Sequence, residues 1–365
     1  MSEIGSGKKI AVISTGNGGQ SMAAYLANKG YSISLYAREQ ERVDMFTTNR
    51  FTLGGKVTAE AEIDLISCNI EEVIKDACLI MVTTPAQYHP FVARQMAPYL
   101  KDGQIIVLNP GRTLGTYVFE HALDECGCKA KVILAETDTF VFTCRCKEPG
   151  HPMIYEIKHG VRVAAHNPAD TPLIADQLDR LFGNILPAGN VLETGLSNIG
   201  MIFHPLPILM NITRVEAKED FRFYIEGISP LVAGVLERMD RERVRVAAAM
   251  GVKVPTAMEW LCDRYGSHGD NLYEMIQNTE AYKNVFAPTD IDTRYIFEDI
   301  QTGCVPVAHL SRRAGIRVPV IGSVINWASI LYNRDFNANG RNDQKINFDK
   351  LIDDMIKAGA IPALR

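Results

Sequence analysis

Two stretches of this sequence hold residues whose types and spacing could do chemistry. The first is SNIGMIFHPLPILMN, Ser197 to Asn211, where His204 is the lone titratable side chain in an apolar run. An imidazole exchanges protons near neutrality, and an apolar setting beside a backbone break at Pro205 and Pro207 makes it a candidate acid or base. The same pattern also describes a hydrogen-bonded core histidine. The second stretch is KKIAVISTGNGGQSMAAYLANKG, Lys8 to Gly30: an apolar run, a glycine-rich turn and a segment of helical periodicity. Glycines in such a turn let the backbone approach a pyrophosphate, and the first amides of the helix supply donors and partial positive charge. The turn comprises Ser14, Gly16, Asn17, Gly18 and Gly19. Gly16 and Gly19 take the second and third glycine positions, and Ser14 the first. A plain strand-to-helix turn would read the same way.

The elements that would position a dinucleotide follow in order. YSISLYAR alternates and reads as a second strand, ending on Ala37 and Arg38 where an NAD site commonly carries an acid for the ribose hydroxyls. A guanidinium at ~4 Å attracts a 2'-phosphate by roughly 1 to 4 kcal/mol depending on screening, so Arg38 favours NADP, with NAD the alternative. Leu79–Thr83, Gln104–Leu108 and Lys131–Ala135 read as short buried strands with helices from Pro90 to Leu100 and Leu114 to Asp124 between them. Such alternation implies a mostly parallel, doubly wound α/β sheet, whose ligand faces the C-terminal strand ends. Those ends carry Thr83, Thr84, Pro85 and Ala86, then Asn109 to Arg112, then Glu136 and Thr137.

From Phe142 to Ala165 short alternating runs read as antiparallel strands at the sheet edge, with Lys158 to Gly160 as a hairpin connection. A helix over 169–182 and a last strand within 184–191 close the unit, giving domains 1–190 and 191–365. The second domain is helical, with helices over 230–250, 256–265, 293–300, 320–332 and 348–357. Its charged run, Glu237 to Arg245, reads as a solvated helix face.

Composition excludes several classes. With 365 residues, two domains are the default, and 47% hydrophobic residues is ordinary for a globular chain. No segment approaches the ~20 uninterrupted apolar residues of a membrane span, and MSEIGSGKK shows no secretory leader. A net charge of −5 without a long basic run argues against nucleic acid. The eight cysteines lack zinc spacing, although Cys144 and Cys146 would share a strand face; no metal is expected, and reduced thiols suit a cytoplasmic setting.

The ISTGNGG loop, the VTTPA strand end, the NPGRT loop, the NxxxxxHP pattern at Asn198, His204 and Pro205, and DTRYIFEDIQTGCVP at Asp292 to Pro306 give the chain a family likeness. It resembles the octopine/nopaline (opine) dehydrogenases nearly end to end. The resemblance implies an α/β Rossmann domain followed by an all-α domain similar to that of 6-phosphogluconate dehydrogenase. It also implies NAD(P)H-dependent reductive condensation of an amino acid with a 2-keto acid such as pyruvate. Carried over by motif, His204 is the catalytic histidine and Asp299 the carboxylate that orients it. Substrate candidates are Asn198, Thr113 and the guanidinium groups of Arg294 and Arg145, which match a carboxylate bidentately; Arg112 is a further one. The cofactor set is Ser14 to Gly19, Ala37, Arg38, Thr83, Thr84 and Pro85. Ser14 departs from the family's glycine, and its side chain would either donate to a phosphate or weaken the hold on the coenzyme. A homodimer is the candidate assembly. The alternatives are an NADP-dependent reductase of simple keto or hydroxy acids with the same two-domain plan, or a non-enzymatic dinucleotide-binding protein.

Overall fold

The Lys9–Ile13 strand, β1, runs into a helix, α1 (Asn17–Asn28), and β2 (Ser32–Tyr36) returns parallel to β1. This computed structural model describes residues 7–363; Met1–Ser6, the start of the stretch read as leaderless, lies outside them. The remaining strands are β3 (Arg50–Gly55), β4 (Ala59–Glu62), β5 (Leu65–Ser67), β6 (Leu79–Val82), β7 (Ile105–Leu108), β8 (Ile133–Thr137), β9 (Phe142–Cys146), β10 (Pro152–Ile157), β11 (Val161–Ala165) and β12 (Ile185–Pro187). The main sheet has the order β12-β11-β8-β7-β6-β1-β2-β5. All its pairs are parallel except β8 with β11. The uninterrupted apolar runs of β6 and β7 are buried along their whole length, because helices and the smaller sheet cover both faces.

Register is what makes this sheet useful. Ile13 lies opposite both Tyr36 and Val82, Val82 opposite Leu108, and Leu108 opposite Glu136. Four strands therefore end on one level, and the next residues, Ser14, Ala37, Thr83 and Asn109, enter loops on the same edge. Strand β8 runs one residue further, to Thr137, so Glu136 and Thr137 are strand residues and not the loop expected. The strand order reverses between β1 and β6, the switch point at which such sheets bind ligands.

The Phe142–Ala165 segment differs from its expected arrangement. Strands β9 and β10 pair antiparallel but join β3 and β4 in a separate four-stranded sheet, ordered β4-β3-β10-β9. Only β11 enters the main sheet, so Lys158 to Gly160 is a crossing between sheets and no hairpin. Alternating burial reveals that one strand face is covered, but it carries no information about the neighbour. The small sheet packs on α1, whose residues Met22 to Leu26 are buried between the two sheets.

The chain divides into compact units after Thr194, a little beyond the expected residue 190. The second unit is helical. The helices Pro230–Ala249, Ala257–Tyr265, Arg294–Asp299, Pro319–Leu331 and Phe348–Lys357 match the expected periodicity to within a cap residue. Its charged run is a solvated face only in part: Arg238, Arg241 and Arg245 are exposed, but Asp240, Glu242 and Arg243 are buried. Arg243 is fully buried, donating to Asp240, to the Leu196 carbonyl and to the Pro255 carbonyl. Glu242 is also buried and accepts from the Val320 and Ile321 amides at the start of another helix. Each charge has a partner, which is the condition for burying it.

Candidate active site

In the first unit the phosphate-binding geometry rests on two close approaches. A Cβ at Gly19 would lie 1.7 Å from the Ser14 carbonyl oxygen, so only glycine allows α1 to start this close to β1. A Cβ at Gly18 would meet the Phe140 ring at 2.9 Å. Gly16 caps α1 without a side-chain acceptor, and Gly16 and Asn17 are exposed, which leaves the helix start open to an anion. Ser14 has φ +137°, a backbone conformation that favours glycine, and its Oγ accepts from the Gly16 amide at 3.1 Å. The side chain thus occupies a donor of the loop and holds a strained residue in place.

The rest of the coenzyme set sits along the same strand ends. Ala37 is fully buried, with its amide on the Ser67 carbonyl. Arg38 is 62% exposed, and its guanidinium lies 2.6 Å from Glu39, an acid the sequence reading left out. Thr83 donates through amide and hydroxyl to the Ile13 carbonyl, tying β6 to β1 at the switch point. Thr84 Oγ1 is buried with no hydrogen-bond partner among the described residues, and Pro85 is exposed beside it. An orphaned hydroxyl at a strand end, open helix amides and a glycine cradle fit a bound dinucleotide.

In the second unit, short helices Gly200–Phe203 and Pro205–Met210 meet at His204. Pro205 is the first residue of the second helix, where the amide it lacks has no intrahelical acceptor, so the prolines start a helix as well as ending one. Arg243 anchors the beginning of this segment through the Leu196 carbonyl. His204 Nδ1 is 2.7 Å from Asp299 Oδ2, with the carboxylate side chain 1% and the imidazole 14% exposed. Asp299 ends the Arg294–Asp299 helix, which continues as a π-helical turn, Ile300–Cys304. Gly303 in that turn lets it approach the histidine segment, since a Cβ there would lie 2.7 Å from Met201 Cβ and 3.0 Å from Asn198 Nδ2. Tyr295 stacks on the His204 ring, a contact that its i, i+4 spacing from Asp299 could have suggested. Burial raises the hydroxyl of nearby Tyr224 well above the ordinary tyrosine value, so it stays protonated.

The substrate candidates fare differently. Arg294 is exposed at the edge of this helix, 3.7 Å from Glu298 and over the Tyr295 ring. Thr113 is fully buried in the loop after β7, where Arg112 and Leu114 adopt left-handed conformations. Asn198 is buried against Gly303. Arg145 lies on the small sheet, its guanidinium turned back to the Cys144 carbonyl. Thr113 and Asn198 are thus enclosed by their own unit, whereas Arg145 is exposed on the small sheet. Glu136, expected only as a loop residue, has a larger structural role. Fully buried, it accepts from the Thr116 amide at 2.9 Å and from the Thr194 hydroxyl at 3.1 Å, fixing the loop after β7. Among the described residues no cluster could hold a metal ion, and no helix is long and apolar enough to cross a membrane.

Comparison with known proteins agrees with this arrangement. Residues 9–114 match the NAD binding domain of 6-phosphogluconate dehydrogenase, and residues 187–332 the alpha-helical domain of NAD/NADP octopine/nopaline dehydrogenase. An opine dehydrogenase of Arthrobacter sp. (strain 1C) is 35% identical, over 94% of this chain and 96% of its own length. An octopine dehydrogenase solved with NADH and L-arginine has the same fold, with TM-score 0.79 at 23% identity over 96% of this chain and 98% of that one. So does a yersinopine dehydrogenase with NADP+ bound, with TM-score 0.74 at 15% identity over the same shares.

Proposed function

Because the chain belongs to the opine dehydrogenase family, we propose that it joins the amino group of an amino acid to a 2-keto acid such as pyruvate and reduces the product with NADPH. The observation that carries this reading is the His204–Asp299 pair. With the carboxylate accepting at Nδ1, the neutral imidazole keeps its proton there and presents Nε2 as the base. Nε2 takes a proton from the substrate ammonium, and the free amine adds to the keto carbon, forming the C–N bond. The added nitrogen passes a proton to the former keto oxygen, making the carbinolamine hydroxyl, and Nε2 returns its own proton to that hydroxyl, which leaves as water to give the protonated imine. Ser14 to Gly19, Ala37, Arg38, Thr83, Thr84 and Pro85 would hold the coenzyme, which supplies the hydride that reduces the imine carbon. Arg294 is the residue we assign to a substrate carboxylate, since its exposed guanidinium shares a helix with Asp299.

The decisive experiment is an omission assay. Coenzyme oxidation should require both an amino acid and a 2-keto acid; oxidation with the keto acid alone would instead identify a simple keto-acid reductase. The NADPH preference rests on the Arg38 guanidinium, which a 2'-phosphate would draw from Glu39. Arg38→Ala should raise the KM for NADPH about tenfold or more and leave that for NADH nearly unchanged. Ser14→Gly should tighten either coenzyme and raise the melting temperature, because it removes a strain of roughly 1 kcal/mol and frees the Gly16 amide. Equal or weaker coenzyme binding would show that the serine hydroxyl is itself a phosphate ligand. A homodimer and a cytoplasmic setting belong to the same proposal. The exposed Trp327 and Ile330 on an uncharged helix support the first, and eight free cysteines the second. Sedimentation equilibrium and cell fractionation test them.

A further inference from the structure

The contact between His204 and Asp299 sets one distance and leaves the imidazole a range of orientations. Coupled rotation about the Cα–Cβ and Cβ–Cγ bonds can keep Nδ1 within reach of the carboxylate while Nε2 moves through an arc. In this protein the ring face is occupied. Tyr295 lies parallel to His204, with centroids 4.0 Å apart and planes 8° from parallel. It stands four residues before Asp299 on one helix, so a single helical face grips the imidazole twice, at Nδ1 by the carboxylate and on its face by the phenol ring. Tyr295 is itself braced by the fully buried Phe223, at 5.3 Å and 41°.

We propose that Tyr295 is a positioning residue that sets the plane of His204 and thereby the direction of Nε2. The inference rests on His204 being the acid–base group of the proposed reaction. Stacking of this kind is modest in energy but specific in geometry, and proton transfer depends on geometry: a misplacement of ~1 Å can cost about a hundredfold in rate. The aromatic face also suits an imidazole that carries a proton for part of each cycle, because the quadrupole of the ring attracts a cation.

Proton NMR of the intact enzyme reads the stack directly. The His204 ring protons, assigned by their loss in His204→Ala, should be displaced upfield by the Tyr295 ring current. The displacement should persist in Tyr295→Phe and vanish in Tyr295→Leu. In turnover, Tyr295→Phe should stay within about threefold of wild type, while Tyr295→Leu should lose roughly ten- to a hundredfold in kcat with the KM for coenzyme unchanged. Tyr295→Met serves the same purpose if the leucine variant does not fold. Wild-type kcat in the leucine or methionine variant would overturn the proposal, as would equal losses in phenylalanine and leucine variants, which would assign the effect to the hydroxyl. Normal turnover in His204→Ala would instead defeat the underlying acid–base reading while leaving the ring-current result intact, so the two failures are distinguishable.

Discussion

The helical unit contains two histidine–carboxylate pairs of nearly the same build. In each, Nδ1 lies 2.7 Å from an aspartate oxygen, and in each the imidazole stacks on an aromatic ring, Tyr295 for His204 and Phe348 for His309. They differ in which end is closed. Around His204 the carboxylate is sealed, at 1% exposure, while the ring is 14% exposed and its Nε2 meets no hydrogen-bond partner among the described residues. Around His309 the ring is sealed, at 3%, Nε2 is taken by Asn337 Oδ1 at 3.1 Å, and Asp343 is 45% exposed and shared with Arg313. A histidine–aspartate distance alone therefore identifies no catalyst. An acid–base group needs one nitrogen left over, and a structural clasp needs none.

Exchanging the test between the two pairs gives the largest contrast. His204→Ala should lower turnover by roughly 10² to 10⁴ while coenzyme binding and melting temperature hold. His309→Ala should retain turnover per folded molecule and lose roughly 1–3 kcal/mol in urea denaturation, because it strands buried polar partners. Folded but inactive His309→Ala would break the distinction. Asp299→Asn should reduce kcat by about tenfold to a thousandfold, since an amide can donate to Nδ1 and so put the imidazole proton on the wrong nitrogen. Retained kcat in that variant would remove the carboxylate from the mechanism.

The smallest effect concerns pH. Burial tends to raise the Asp343 carboxyl, but bonds from Arg313 and His309 outweigh it, and the net position is below the usual carboxylate value. A folded value below the unfolded one, ~3.9, means that the ionised group adds stability above about pH 4 and loses it as pH falls through the folded value. The urea midpoints of wild type and Asp343→Asn, followed by circular dichroism, should therefore separate at pH 7 and lie closer together at about pH 3. A separation equal at both pH values would show that the exposed carboxylate contributes only packing.

How much of this was legible in the sequence depended on how far each residue's partner lies along the chain. The β6 and β7 strands and the long helices declare themselves through local apolar runs and periodicity. The assignment of β9 and β10 to a second sheet does not, because their parallel neighbour is β3, about a hundred residues upstream, and β3 to β5 are short polar-flanked strands that the reading passed over. Arg243 and Glu242 look solvated for the same reason. The Glu242 partners are 78 and 79 residues distant, and although Arg243 pairs with Asp240 three residues before it, the Leu196 carbonyl that helps enclose it is 47 residues away. At the site, His204 was visible as a titratable group in an apolar run. Asp299 became visible only through family likeness, and Tyr295 only once the helix was in place.

The bonds linking α1 to the small sheet have a consequence for unfolding. Asn17 Oδ1 accepts from the Cys146 amide, and Gln20 Oε1 from the Gly150 amide, so the start of the phosphate-binding helix and the β9–β10 turn are tied together. A ligand held at that helix start opposes local opening of strands it never touches. At a hundredfold excess over its Kd, such a ligand deepens the native well by about 2.7 kcal/mol, and slowed amide hydrogen exchange would record that gain in the small sheet as well as in the loop.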